Sequence, residues 1–113
     1  MKYKQRDIVE VSFLFPDGTL KPHPAIIVSN NQLQEDELGL VYLVLISSNN
    51  RINPQYSYPL SDDMVTSYNF SKTSYAKCQI IAGYTDRDII RRLGSIKEEY
   101  FNEIIDKVID SIF

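Results

Sequence analysis

The chain has 113 residues, enough for one domain and too few for two comfortable ones, and a formal net charge of −3. With 43% apolar residues it can bury a core without metals or disulfides, and its single cysteine, Cys78, excludes an intrachain disulfide and a thiolate metal site. The acidic balance excludes a grip on nucleic acid spread over the whole surface, but leaves room for a local basic cleft.

The N-terminal "MKYKQRDIVEV" has basic residues and no apolar stretch long enough for a signal peptide. The longest apolar run, "LVYLVLI", falls far short of the roughly 20 residues of a membrane span. One cysteine also fits a reducing compartment, so the expectation is a cytoplasmic domain with no membrane association and no cofactor. The acids gather in Glu35 to Glu37, in Asp62 and Asp63 and toward the C-terminus, whereas Lys21, Arg51, Lys72 and Lys77 lie in stretches with fewer acids.

"DIVEVSFLF" (7–15) mixes β-branched and aromatic residues and predicts a strand. "PDG" (16–18) predicts a turn, because proline presets φ and glycine accepts a positive one. The next strand is expected from about His23 to Ser29, with Pro22 and Pro24 holding the chain's only histidine at its mouth. "NNQLQEDELG" is polar and reads as a mobile surface loop. "LVYLVLISS" (40–48) is the most β-prone stretch and the expected central strand. Shorter strands are expected around 56–60 and 74–82, with "SDDMVTSYNFSKT" as a structured loop between them. "DRDIIRRL" reads as a short helical turn.

The period then changes. Tyr100, Ile104, Val108 and Ile112 recur every fourth residue, with Phe101, Ile105 and Ile109 beside them, which predicts an amphipathic helix whose apolar stripe packs on the core. Ser95 and Glu98 have capping-box spacing at its start. Five or six short strands followed by one helix point to a mainly β single domain, a small, strongly bent SH3-like β-barrel. Such a barrel has a filled interior, so a site must lie on its outer face or between its loops.

The order of pieces resembles a known family. "RDIVEVSFLFPDGTLKPHPAIIVSN" is similar to the N-terminal signature of MazF/PemK-type toxins of bacterial type II toxin–antitoxin systems: an opening strand, a glycine-bearing turn, then a basic stretch leading to an arginine–proline–alanine step and an apolar strand. "VYLVLISS" resembles the next strand, which ends in paired hydroxyl residues, and "SYAKCQIIAGYTDRDIIRRLGSIKEEYFNEI" resembles the closing strand, turn and helix. The resemblance covers almost the whole chain and implies a MazF/PemK/CcdB-like fold over residues 1–113. It also implies a homodimer, metal-independent cleavage of single-stranded RNA at short sequences, and inhibition by a cognate antitoxin protein.

Metal-free RNA cleavage uses the substrate's own 2′-hydroxyl as nucleophile, so the site must move two protons and steady a charged phosphorane-like transition state. In the family these tasks fall to the arginine before the proline and to the hydroxyl residue ending the later strand. The second maps onto Ser47, with Ser48 its neighbour. The first maps onto His23, a departure with chemical consequences. Arginine is a permanent planar cation, whereas histidine titrates near neutrality and suits proton transfer better than phosphate neutralisation. Lys21, with Arg6 or Arg51, is a candidate for the missing cation. Arg51, Tyr56, Tyr58 and Lys72 lie in or beside loops suited to flanking the site, in the basic and aromatic chemistry that single-stranded RNA favours. Cys78 is expected as a small buried hydrophobe.

Two other readings share the fold. One is a non-enzymatic module that poisons a protein target, as the gyrase-directed relatives do with an apolar C-terminal helix end, here Phe113. The other is a homologue that only binds an antitoxin.

Overall fold

The computed structural model describes residues 2–49 and 53–113. Its elements run β1 (Asp7–Leu14), β2 (Leu20–Ile27), α1 (Asn31–Asp36), β3 (Leu40–Ser47), β4 (Ser57–Leu60), β5 (Val65–Thr66), β6 (Ser74–Lys77), β7 (Ala82–Thr85), β8 (Ile89–Ile96) and α2 (Glu98–Ile112). The sheet order is β4-β6-β3-β2-β1-β8-β5, with β7 paired to β3. Among the described residues β4 and β5 do not pair, so the sheet curls into a half-barrel. The mainly β fold with a terminal helix is the one the sequence predicts.

β1 and β2 form the hairpin read from "PDG": Gly18 takes φ +86°, and Phe15 and Thr19 close the turn through the main chain. β2 starts earlier than the sequence suggests, at Leu20, so Pro22 and Pro24 lie inside the strand and not at its mouth. The reason is in the ladders. β2 pairs with β1 from Leu20 to Ile26, but β3 takes up only Ala25–Ile27, so the two prolines, of one parity, interrupt nothing on the open side.

Four other expectations are corrected. The polar stretch after β2 is a helix, because the Asn30 side chain accepts from the Leu33 N–H at 2.8 Å and caps it, while Gln34 is buried. The predicted strand at 74–82 is two strands, β6 and β7, on one flank of β3. "IIRRLGSI" is strand β8 after a single 3-10 turn at Asp86–Asp88: Arg91 and Arg92 point out of the strand to Glu10 (3.3 Å) and Asp7 (2.9 Å), acids of neighbouring β1. Helix α2 is preceded by Lys97 and not Ser95, whose hydroxyl instead meets that of Thr66 at 2.6 Å.

Each face of the sheet is packed. One face carries Ile8, Ile26, Val44, Ala76 and Ile96 against Phe101, Ile104 and Val108 of α2. The other carries Val9, Val11, Ala25, Leu43 and Leu45 against Tyr3 and Ile89. This is why β3 and the Ala25–Ile27 end of β2 read as continuous apolar runs. Cys78 is fully buried, as expected, and burial pushes its thiol up to about 11.

Candidate functional site

β3 pairs with β2 only over Leu43–Leu45, while on its other flank Ile46 and Ser47 pair with β6. Beyond the Ala25–Leu45 pair β2 and β3 part, at the level of His23, and a cavity of about 180 Å³ lies there. It is lined by His23 and Pro24 of β2, Ile46 of β3 and Ser48 just beyond it, Tyr68, Ser71 and Lys72 of the β5–β6 connection, and Ser74 at the start of β6. Three residues singled out from sequence, His23, Ser48 and Lys72, thus share one cavity. Two larger hollows, of about 360 and 450 Å³, lie beside Lys2 and beside α2, away from His23.

His23 is half-buried in an aromatic corner, its ring centroid 5.6 Å from Phe13 and 6.0 Å from Phe15. Burial disfavours the charged ring and holds its pKa below the ordinary histidine value. The Ile46 main chain opposes that shift, and the charge of Lys77 adds to it. The uncharged imidazole is thereby favoured, whereas an arginine in its place would keep its charge.

Ser47 ends β3 opposite Tyr75, and its hydroxyl accepts from the Asn49 N–H at 3.1 Å, so it is engaged locally while Ser48 lines the cavity. Lys21 does not line the cavity: its ammonium lies over the Phe15 ring, 5.5 Å from the centroid. Tyr56 stands apart, its main chain tied to Asn53 and Cys78, and Tyr58 donates to Glu103 of α2 at 2.9 Å. Arg6 sits ahead of β1 with its main chain bonded to Ile27 and Ile96. Arg51 lies outside the described residues.

Sequence reasoning missed Tyr68, Ser71 and Ser74 as lining residues. Tyr68 and Ser71 come from the stretch read only as a structured loop, although "SYNFSK" alternates aromatic and polar residues and ends in a cation, as single-strand nucleic-acid surfaces do, and Ser74 opens the strand expected at 74–82. The stretch is fixed by several contacts. The Phe70 N–H donates to Asp62 at 2.8 Å, the rings of Tyr68 and Phe70 meet edge-on at 5.1 Å, and the Ser74 hydroxyl donates to the Lys72 carbonyl at 2.8 Å. Gly94 of β8 lets it approach, because a side chain there would run into the Thr66 carbonyl and the Tyr68 Cβ.

The cavity therefore combines a neutral imidazole, hydroxyls and a lysine, with a second lysine charge near the ring. Among the described residues no group of three His, Cys, Asp or Glu is placed to hold a metal ion. Such a site can take a proton from a hydroxyl and offset negative charge on a phosphate.

The profile of the PemK-like, MazF-like toxin of type II toxin–antitoxin systems matches residues 4–112. No curated protein matches the chain by sequence. Solved structures share the fold at low identity. The Mycobacterium tuberculosis toxin MazF-mt6 superposes with a TM-score of 0.71 at 15% identity, covering 94% of this chain and 95% of that one. MazF from Deinococcus radiodurans gives 0.72 at 13%, covering 96% and 94%. A mycobacterial endoribonuclease in complex with its cognate antitoxin gives 0.68 at 16%, covering 96% and 93%.

Proposed function

Because the chain belongs to the PemK-like, MazF-like toxins of type II toxin–antitoxin systems, we propose that it is a growth-inhibiting endoribonuclease of single-stranded RNA. It acts in the cytoplasm, without a metal, and a cognate antitoxin silences it. The observation that carries this reading is the cavity joining His23, Ser48 and Lys72. His23 takes the proton of the RNA 2′-hydroxyl, the 2′-oxygen closes on phosphorus, and the 5′-oxygen leaves with the proton returned to it. The products are a cyclic phosphate and a 5′-hydroxyl. Lys72 and Lys77 supply the positive charge that the family's arginine would give, and Ser48, with Ser47 behind it, donates to a phosphate oxygen. Lys21 and Tyr56 contact the strand further out, and Arg51 is a further RNA-binding cation proposed from the sequence alone.

The pH profile of RNA cleavage tests the assignment. With the neutral ring as base, the rate climbs with pH through a midpoint below about 6.5 and is level at neutrality. His23→Arg removes that acid limb. A limb that survives in His23→Arg belongs to another group and contradicts the assignment. Stability follows the same sign: the folded pKa is lowered, so the unfolded chain takes up the proton first, and stability falls as pH drops from about 6.5 toward the folded value.

A homodimer belongs to the same reading. The apolar hollow of about 450 Å³ between α1, β3 and α2, with Ile81 and Ile109 partly exposed on it, is suited to burial against another chain. A second reading has one observation in its favour. Phe113, at the end of α2, is 91% exposed, as a helix end that inserts into a protein target would be. RNA left intact from about pH 6 to 8, together with binding to a gyrase subunit, would select that reading.

A further inference from the structure

The cavity beside His23 holds more than proton transfer needs. At about 180 Å³ it is smaller than the roughly 300–1,000 Å³ of pockets that enclose whole small-molecule ligands, and it suits one ring-sized group. Its walls divide by chemistry. Tyr68 contributes an aromatic ring, held in place by Phe70 and by the close approach of its backbone to Gly94. Ser71 and Ser48 contribute hydroxyls able to donate or accept. Ser74 also lines it, but its proton is already committed to the Lys72 carbonyl. Among the described residues the cation in the lining is Lys72, an exposed side chain, and His23 is half-buried. A ring wall, free hydroxyls and a cation match an unpaired nucleobase with its phosphate, because bases of single-stranded RNA are read by stacking and edge hydrogen bonds.

We infer that this cavity is a base-recognition pocket, in which Tyr68 stacks on one unpaired base next to the scissile phosphate and Ser71 reads its edge. Tyr68 and Ser71 would then be specificity-determining residues, and the β5–β6 connection the segment that sets one position of the cleavage sequence. The inference rests on the RNA-cleaving reading above, but its test separates the two.

The probes are oligodeoxynucleotides of a single base (dA, dC or dT), which lack the attacking 2′-hydroxyl and so report binding alone. The protein should bind one of them about tenfold more tightly than the others, in keeping with the worth of one stacked base. Tyr68→Leu should abolish that preference and weaken all three oligomers, and Ser71→Ala should reduce the preference severalfold. Equal binding of all three by the unaltered protein overturns the inference, as does unaltered preference in both variants. If thermal melting shows Tyr68→Leu unfolded, the exposed Ser71→Ala decides in the same two directions. Base-selective binding by a protein that leaves RNA intact would sink the cleavage reading and keep the pocket. RNA cut at the same sequence by the protein and both variants would sink the pocket alone.

Discussion

Replacing His23 by alanine is expected to slow RNA cleavage by about 10²–10⁴-fold, the usual worth of a positioned general base. It should also relieve growth arrest in cells that make the protein without an antitoxin. The ring is half-buried and in contact with Phe13 and Phe15, so its loss leaves a gap as well as a missing base. His23→Gln, which keeps bulk and a donor, separates the two effects. A variant that fails for want of packing is rescued by glutamine, and one that fails for want of a base is not. A folded His23→Ala protein that cuts RNA at the original rate would remove the histidine from the mechanism.

The second large effect concerns the core. Ile104 is fully buried where α2 packs on Ile8, Ile26 and Val44. Ile104→Ala should cost about 2–5 kcal/mol and lower the melting temperature by roughly 10 °C or more. Ile112→Ala, on the same helix but 40% exposed, should move it little. Equal melting of the two variants by calorimetry would show that the helix stripe does not anchor the sheet.

The contrast between these sites explains what was legible in the sequence. Helix α2 was legible because its apolar residues recur every three to four positions and the buried ones, Phe101, Ile104 and Val108, keep that spacing. The β1–β2 hairpin was legible because the chemistry of its turn is local, in Pro16 and Gly18. β8 was not, since "IIRRL" has no alternation. Its arginines stay exposed on the strand and reach Glu10 and Asp7 of β1, a fact of pairing and not of local sequence. Helix α1 was missed because six polar-looking residues carry too little apolar period, and an asparagine cap decides the matter.

The candidate site divides in the same way. His23, Ser48 and Lys72 were found from residue chemistry and order along the chain. Tyr68 and Ser71 were not, because their approach to His23 depends on Gly94, 23 or more residues further on, leaving space for the loop. Tyr56 does not line the cavity: it precedes β4, and its main chain is bonded to Asn53 and Cys78.

The most direct measurement is incubation of the purified protein with a long RNA of defined sequence, followed by mapping of the new ends and their phosphate chemistry. Cuts at one short recurring sequence, with cyclic phosphate or 3′-phosphate on one side and 5′-hydroxyl on the other, are the expected result. RNA left intact at saturating protein, or ends carrying 5′-phosphate, would contradict 2′-hydroxyl attack assisted by His23.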